Sequence, residues 1–458
     1  MGLCMKGLES TLTSATVRIH VPDDHAYIRL ANALKWGTMT DLIIDDLKRS
    51  TAKLQWWVGR KLRIRIHLAI YVLQSLVKMT DRGIEEAIRG NGIYQVFCGA
   101  SIIDDWHCPD HTKIEDFRNR ISPQTQLALV SYVLQVAKDM GCADPSWMDV
   151  DSTVQEAGMA YPSDAHLLTK LAYKCKKVIA YVAGKLGVPA ALDVDVKSVK
   201  KRAKDYFFLS KNKAKEIKYA AFTDLYDIVK QEILPTVQEC MSLSVEQVQS
   251  LPWNIRRALE QIRNHAQKYL VDVAHFIKTH TLKTGKILSF HLLDVACISK
   301  GKVGKDREFG RVYQLGRIGG NFLMVLPATS VRQEDKPSLI PMLKQHQAIF
   351  GKGVLQSMGT DKGYFTKANT EEALKIVKEV GIQIPGNVKL KHPISQALKD
   401  RRAGIEPLIG HAKRFGLAKS KAKSDTTTLA SGYRSVLGFD LHQMTRYLSG
   451  KVKIKIVG

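Results

Sequence analysis

The sequence has few cysteines and lacks the spacing that would make them structural. Seven cysteines occur among 458 residues, and no Cys-x2-Cys pair is present. An odd number of scattered cysteines fits neither a disulfide framework nor a zinc ribbon. We therefore expect reduced thiols in a cytoplasm.

Long uncharged apolar runs are also missing. The longest, at residues 125–137, is too short to cross a bilayer and is typical of a buried helix. The first ten residues contain no apolar signal core. We therefore expect neither membrane insertion nor secretion.

Acidic residues are in short supply. The chain has 44 Asp and Glu against 69 Lys and Arg, which gives a net charge of +25 and an isoelectric point near 9.6. Such an excess attracts polyanions and favours nucleic acid as the partner. An anionic membrane surface, or a basic enzyme with no polyanionic partner, remains the alternative.

Length and apolar spacing predict several domains of mixed type. A chain of 458 residues is too long for one core. Residues 1–145 have mostly helical spacing with short basic segments, which favours a DNA-binding module or a solvated helical cap equally. Residues 166–290 are also helical and rich in lysine.

Strands are predicted before and after the helical residues 166–290. We predict strands at 146–153, 293–299, 353–361 and 382–385, and a hairpin with a Gly-Gly turn within 310–326. A helix is predicted over 370–381, with Leu374, Val377 and Val380 on its apolar side. A basic helical segment follows at 401–416.

Three acidic residues occur where strands and helices could bring them together. Asp151 lies in the first predicted strand, Asp361 ends a later one, and Glu406 lies in the basic helical segment. Carboxylates without histidine or cysteine suit Mg²⁺ or Mn²⁺, and a pair of such ions promotes phosphoryl displacement. Asp149 is an alternative ligand because it shares a strand face with Asp151.

Other candidate residues are given structural interpretations. We predict that Asp164 caps a helix and that the segment with His107, Cys108 and His111 is a turn, not a zinc site, because it has one thiol. Trp253 is predicted to be a core residue of the helical block.

Five segments together resemble the DDE transposases of bacterial insertion sequences. Residues 151–168 resemble the family's first-Asp segment, 300–322 its second and third strands, 359–369 its second-Asp segment and 401–417 its Glu segment. Residues 107–122 resemble its N-terminal conserved segment.

The resemblance implies an RNase H-like catalytic core within a mixed α/β fold. It places a helical N-terminal DNA-binding region at 1–145, the core at 146–165 and 291–450, and a large helical insertion at 166–290. The insertion accounts for the 209 residues between Asp151 and Asp361.

The resemblance also implies roles for site residues. Asp151, Asp361 and Glu406 match the metal-binding triad, which would hold two Mg²⁺ or Mn²⁺ ions. The residues expected to contact DNA phosphates are Arg402, Lys413, Lys399 and Lys362, with Lys399 standing where the family has tyrosine.

The spacing of the Glu segment has a geometric meaning. Glu406 and Lys413 are seven residues apart and would share a helix face, with Gly410 between them. Pro407 is tolerated in a first turn, so we expect the helix to start or bend near Glu406, with Arg402 before the bend.

The implied function is DNA transposition in a bacterial cytoplasm. The protein would bind the terminal inverted repeats of a mobile element as a homodimer on double-stranded DNA, cleave them, and join them to target DNA, without a nucleotide cofactor. A non-catalytic DNA-binding protein, such as a decayed or domesticated transposase, and a metal-dependent nuclease are the alternatives.

Overall fold

The computed structural model describes residues 20–50, 60–186, 193–209, 214–283, 285–302, 305–384 and 396–451. The α-helices are α1 (Ala26–Ala33), α2 (Trp36–Ser50), α3 (Lys61–Val77), α4 (Asp81–Gly90), α5 (Gly92–Phe97), α6 (His111–Arg120), α7 (Pro123–Asp139), α8 (Asp164–Leu186), α9 (Val196–Leu209), α10 (Lys215–Ser242), α11 (Val245–Ser250), α12 (Trp253–Thr279), α13 (Asp335–Phe350), α14 (Lys367–Leu374), α15 (Gln396–Ala403), α16 (Ile405–Ala412) and α17 (Asp425–Leu448).

The strands form one mixed sheet. They are β1 (Asp144–Glu156), β2 (Ala296–Lys302), β3 (Lys305–Gly319), β4 (Phe322–Val325), β5 (Ser357–Thr360) and β6 (Glu379–Ile382). The sheet order is β2-β3-β1-β5-β6, and β4 also pairs with β3. β1 runs antiparallel to β3 but parallel to β5, and β5 runs parallel to β6. The predicted mixed α/β class is therefore confirmed.

The predicted hairpin joins β3 to β4. Ile318 pairs with Phe322, and the chain reverses through Gly320 and Asn321, whose φ angles are 77° and 62°. Positive φ at successive positions matches the twist of a tight hairpin. The turn therefore uses Gly320 with Asn321 as its positive-φ pair, and not the predicted Gly-Gly pair.

The predicted helix over 370–381 is wrong in its second half. α14 ends at Leu374, which is 53% exposed. Val380 lies in β6, opposite Met358 of β5, and Ile382 in the same strand is buried. The apolar spacing suits a helix, but the parallel pairing with β5 buries this segment in the sheet.

The N-terminal helices and the sheet share one hydrophobic core. Buried side chains of α3 and α7 lie in the same apolar cluster as those of β1, β3, α13 and α17. α17 is tied to α3 by Arg434, which donates hydrogen bonds to Gln74 at 2.7 Å and Ser75 at 3.0 Å. The same guanidinium lies 5.1 Å from the ring centre of Tyr71.

Helices α8 to α12 form a second hydrophobic core. The two ends of this helical bundle are joined to each other near the sheet. Asp164, the first residue of α8, accepts hydrogen bonds from Tyr269 at 3.0 Å and from Lys286 at 2.5 Å. Asp164 lies inside the first turn of α8 and not at the predicted cap position before it, and its ion pair with Lys286 joins the two ends of the bundle.

Across the part of the chain that the structure describes, no helix has both the length and the apolar character needed to cross a membrane.

Close packing of α17 on β3 gives a stability prediction. A Cβ atom at Gly432 would lie 2.1 Å from Cζ of Tyr313, a buried residue whose hydroxyl donates to the Leu429 carbonyl. We expect Gly432→Ala to lower the free energy of unfolding by about 1–3 kcal/mol, because the ring cannot move aside in a packed core.

Gly184→Ala is the matched control, because this residue of α8 has no heavy atom within 4 Å of the added Cβ. Urea unfolding followed by circular dichroism compares the two variants. Equal unfolding midpoints would contradict the described contact between α17 and β3.

Candidate active site

The parallel pairing of β1 with β5 brings two of the predicted acids side by side. Val150 lies opposite Thr360, so Asp151 and Asp361 occupy the next position on the two strands. Neighbouring strands are about 4.8 Å apart. Asp361 directly follows β5 and caps the short 3₁₀ turn Lys362–Tyr364, in which the amide of Gly363 donates a 2.9 Å hydrogen bond to its side chain.

Glu406 approaches the same place from a helix. α15 and α16 are separated by Gly404, so Glu406 and Pro407 lie in the first turn of α16, as predicted. Nη2 of Arg402 lies 3.4 Å from Oδ2 of Asp151 and 3.4 Å from Oε1 of Glu406. Arg402 therefore bridges the buried and the exposed carboxylate, the latter being 65% exposed.

The charges of the three acids influence one another. The pKa of Asp151 is raised to about 6, mainly by burial and to a lesser extent by the nearby Asp361 and Glu406 carboxylates, against the opposing effects of the Ser152 N–H and Arg402. Burial also raises the pKa of Asp361. Carboxylates held in this way favour a bound cation, which would offset both burial and repulsion.

Asp149 has a different role from its neighbour. Its side chain is fully buried, and Nε and Nη2 of Arg401 each lie 3.0 Å from Oδ1. Arg401 also donates a 2.7 Å hydrogen bond to Ser357 and lies 4.8 Å from the ring centre of Trp147. Asp149 is therefore a structural partner of Arg401, and the alternative that made it a metal ligand is not supported.

Gly359 allows this docking of α15. An added Cβ would lie 2.8 Å from Oδ1 of Asp149 and 3.4 Å from Cβ of Arg402. A side chain at this position of β5 would push α15 away from the strand, and Arg401 and Arg402 would no longer reach their aspartates.

The predicted phosphate-contacting lysines lie around the acids. Lys362 follows Asp361 directly and is exposed. Lys399 is exposed on α15, one turn before Arg402. Lys413 is half-buried and follows α16 as the first residue of a π-helical turn, Lys413–Leu417.

A fourth acid near Asp361 had no sequence signal. Asp335 begins α13, and its Oδ1 accepts a 2.8 Å hydrogen bond from the side chain of Gln314. Gln314 in turn accepts a 2.5 Å hydrogen bond from Tyr364. Asp335 helps to raise the pKa of Asp361, so it lies within the electrostatic field of the site.

The donor set fits hard divalent cations, but its present spacing does not make a metal cage. Within the described ranges, no three Asp, Glu, His or Cys side chains are close enough to hold one ion. Arg402 lies between Asp151 and Glu406, and its positive charge offsets their negative charges. Oxygen ligands of Asp151, Asp361 and Glu406 are nevertheless of the type that Mg²⁺ and Mn²⁺ prefer.

Two other sequence interpretations can be compared with the structure. His111 is paired with Glu85, whose Oε2 lies 2.9 Å from Nδ1 and 2.8 Å from the backbone amide. Trp253 is 70% exposed at the start of α12, so its predicted core position is wrong. The buried stripe of this helix begins two residues later, at Ile255.

The buried pair of Asp149 with Arg401 gives a prediction for stability. We expect Arg401→Met to lower the free energy of unfolding by about 3 kcal/mol, because it leaves the buried Asp149 carboxylate with only the more distant Arg317, 4.0 Å away. Lys399→Met, an exposed position on the same helix, is the control and should change stability little. Thermal and urea unfolding of both variants measure the difference. An Arg401→Met protein as stable as the control would mean that Asp149 does not depend on this pair.

Comparison with known proteins adds independent evidence. Residues 16–120 match a protein family described as "Transposase domain (DUF772)". A Rhizobium meliloti protein named "Uncharacterized protein ORF8 in nfe locus" is 27% identical over 149 residues, which cover 32% of this chain and 68% of that relative. No solved structure gives a significant match. These findings support the resemblance to transposases of bacterial insertion sequences that the sequence segments indicate.

Proposed function

We propose that the protein is a DNA transposase that binds the terminal inverted repeats of its element and catalyses metal-dependent DNA cleavage and strand transfer. The observation that carries this proposal is the convergence of Asp151, Asp361 and Glu406 around Arg402. The match of the N-terminal region to a transposase domain supports DNA as the partner.

The sheet supports an RNase H-like core. Apart from β2, the strands follow the order β4-β3-β1-β5-β6, with β3 antiparallel to its neighbours and β1, β5 and β6 parallel. The two strand acids lie on β1 and β5, at the centre of this order. The helical bundle α8–α12 is inserted between β1 and β2, consistent with the insertion that the resemblance implies.

The proposed metal ligands are the three carboxylates. Asp151, Asp361 and Glu406 would hold two Mg²⁺ or Mn²⁺ ions, which stabilise charge on the attacking and leaving oxygens of an in-line phosphoryl transfer. Glu406 is exposed and held at 3.4 Å by Arg402, so a small rotation of its side chain brings it toward the other two.

Basic residues would position the DNA. Arg402 neutralises Asp151 and Glu406 in the described structure. Once cations neutralise the carboxylates, its guanidinium can turn to a phosphate, which it binds through two parallel hydrogen bonds. Lys362 follows Asp361 and acts on its pKa, and Lys399 and Lys413 lie seven residues before and after Glu406 in the chain. These three lysines would hold further phosphates. Joining two element ends requires at least a homodimer on the DNA.

A non-catalytic DNA-binding protein is the second candidate. The observation in its favour is that the three carboxylates are not close enough to form a metal cage among the described residues. The complete set of acids with Arg402 favours catalysis, because neighbouring carboxylates repel DNA phosphates and would weaken a protein that only binds DNA.

Metal binding can be tested without any reaction. We expect roughly 10 mM Mg²⁺ or Mn²⁺ to raise the Tm of the wild-type protein by a few degrees, because a ligand that binds the folded state stabilises it. Asp151→Asn should lose this shift. Glu371→Gln, exposed on α14, should keep it. An equal shift in all three proteins would place the metal elsewhere.

The reaction itself is tested with DNA that carries the flanking ends of the element. We expect metal-dependent cleavage at the end and joining to target DNA by the wild type, and loss of both in Glu406→Gln with end binding retained. Glu371→Gln is again the matched control. End binding without cleavage by the wild type would favour the non-catalytic candidate, and cleavage without joining would indicate a nuclease.

A further inference from the structure

A cleft opens where the chain leaves the sheet and enters the helical bundle. Its volume is about 400 Å³, and it is formed by residues 159–162, the first turns of α8, and residues 288–291. Its lining is mixed: Leu167, Leu288 and Phe290 are apolar, and the basic or aromatic side chains are Tyr161, His166, Lys170, Tyr173, Lys174 and His291. Arg257 lies beside the cleft, near enough to affect the pKa of Lys174.

The positive charges of this cleft lack acidic partners. Among the described residues, no carboxylate lies within 4.0 Å of the charged atoms of Lys170, Lys174 or Arg257. Lys174 instead donates to the neutral side chain of Gln261, and Arg257 donates to the backbone carbonyl of Lys423 at 3.2 Å.

The acid at the start of α8 does not compensate these charges. Asp164 already has an ion-pair partner, since its Oδ2 lies 2.5 Å from Nζ of Lys286. The cleft therefore keeps its excess of positive charge.

Neighbouring positive charges lower the pKa values of Lys174 and His291. Burial lowers the pKa of Lys174, and Arg257 and Lys170 lower it further. The pKa of His291 is lowered by burial and by the same three cations, Lys170, Lys174 and Arg257. Repulsion between neighbouring cations is unfavourable, and a bound anion would reduce it.

Two exposed aromatic rings border the cations. Tyr161 is 71% exposed and Tyr173 is 44% exposed. The ring of Tyr161 is fixed edge-on against Phe309, with centroids 5.3 Å apart. Tyrosine side chains beside basic residues commonly contact the phosphates and sugars of duplex DNA.

We propose that this cleft is a separate nucleic-acid site, in which Lys170, Lys174 and Arg257 bind a backbone phosphate and Tyr161 contacts the adjoining nucleoside. The proposal rests on the proposed function, because it takes DNA as the ligand. β1 spans roughly 16 Å from Asp151 to Glu156 before the chain turns into the cleft. One duplex can therefore touch the carboxylate site and the cleft within one helical turn of about 34 Å.

Salt-dependent DNA binding tests the cleft. Fluorescence anisotropy with a labelled duplex compares the wild type with Lys170→Gln/Lys174→Gln. We expect the double variant to bind roughly tenfold more weakly and to reduce the slope of log affinity against log salt by about one, because one phosphate contact is lost. Lys170→Arg/Lys174→Arg should keep both values.

The control variant loses the same number of positive charges at positions outside the cleft. Lys185→Gln/Lys215→Gln changes two exposed lysines of α8 and α10, and Lys185 lies about 22 Å along α8 from Lys170. Circular dichroism melts check that all variants fold. An equal loss of affinity and slope in this control would overturn the proposal, because general charge would then explain both.

The remaining outcomes separate the proposals. Wild-type binding that is unaffected by the cleft variants overturns the cleft site alone, whereas no DNA binding by the wild type overturns the proposed function as well. Protection of the wild type from heat by about 1 mM inorganic phosphate, lost in the cleft variant while DNA affinity is unchanged, would assign the cleft to free phosphate and overturn the nucleic-acid site.

Discussion

The arrangement of the candidate active site depends on one buried negative charge. Asp149 is fully enclosed in β1, and a buried carboxylate destabilises a fold by several kcal/mol unless a cation accompanies it. Arg401 is that cation, and its pairing draws α15 across β1 and β5. With α15 held in this place, the neighbouring Arg402 lies against Asp151. The next helix, α16, begins directly afterwards and places Glu406 beside the same arginine. One structural ion pair therefore determines the position of the whole basic segment.

Positive charge has two contrasting arrangements in this protein. At the carboxylate site, Arg401 and Arg402 are each balanced by an aspartate, so the site is stable before any ligand arrives. At the cleft beside α8, Lys170, Lys174 and Arg257 repel one another without such balance. The paired arginines hold the carboxylate site in its folded arrangement. The cations beside α8 repel one another, and an anionic ligand would offset this repulsion.

Local features of the chain could be predicted from sequence, and features that depend on distant segments could not. The strand around Asp151 and the hairpin before β4 follow from alternation and turn residues, which are local. The end of α14 does not, because Val380 is held by pairing with Met358 of β5. Strand alternation alone does not separate Asp149 from Asp151, which share a face; the resemblance favours Asp151, and the pairing of α15, about 250 positions later in the chain, gives Asp149 its separate role. Asp335 had no signal because its relation to Asp361 exists only in three dimensions.

The ion pair of Asp164 with Lys286 holds the two ends of the helical bundle together beside the sheet. The first residue of α8 contacts the segment that follows α12, so the chain leaves and returns to the sheet at two adjacent points, as a closed loop. The distance between these points does not depend on how many residues the bundle contains. The entropy of closing such a loop grows only slowly with its length. Helices can therefore be lengthened, shortened or exchanged beyond this pair without disturbing the register of β1 on β3. The bundle can therefore change in length and sequence while Asp151 and Asp361 keep their places on the sheet.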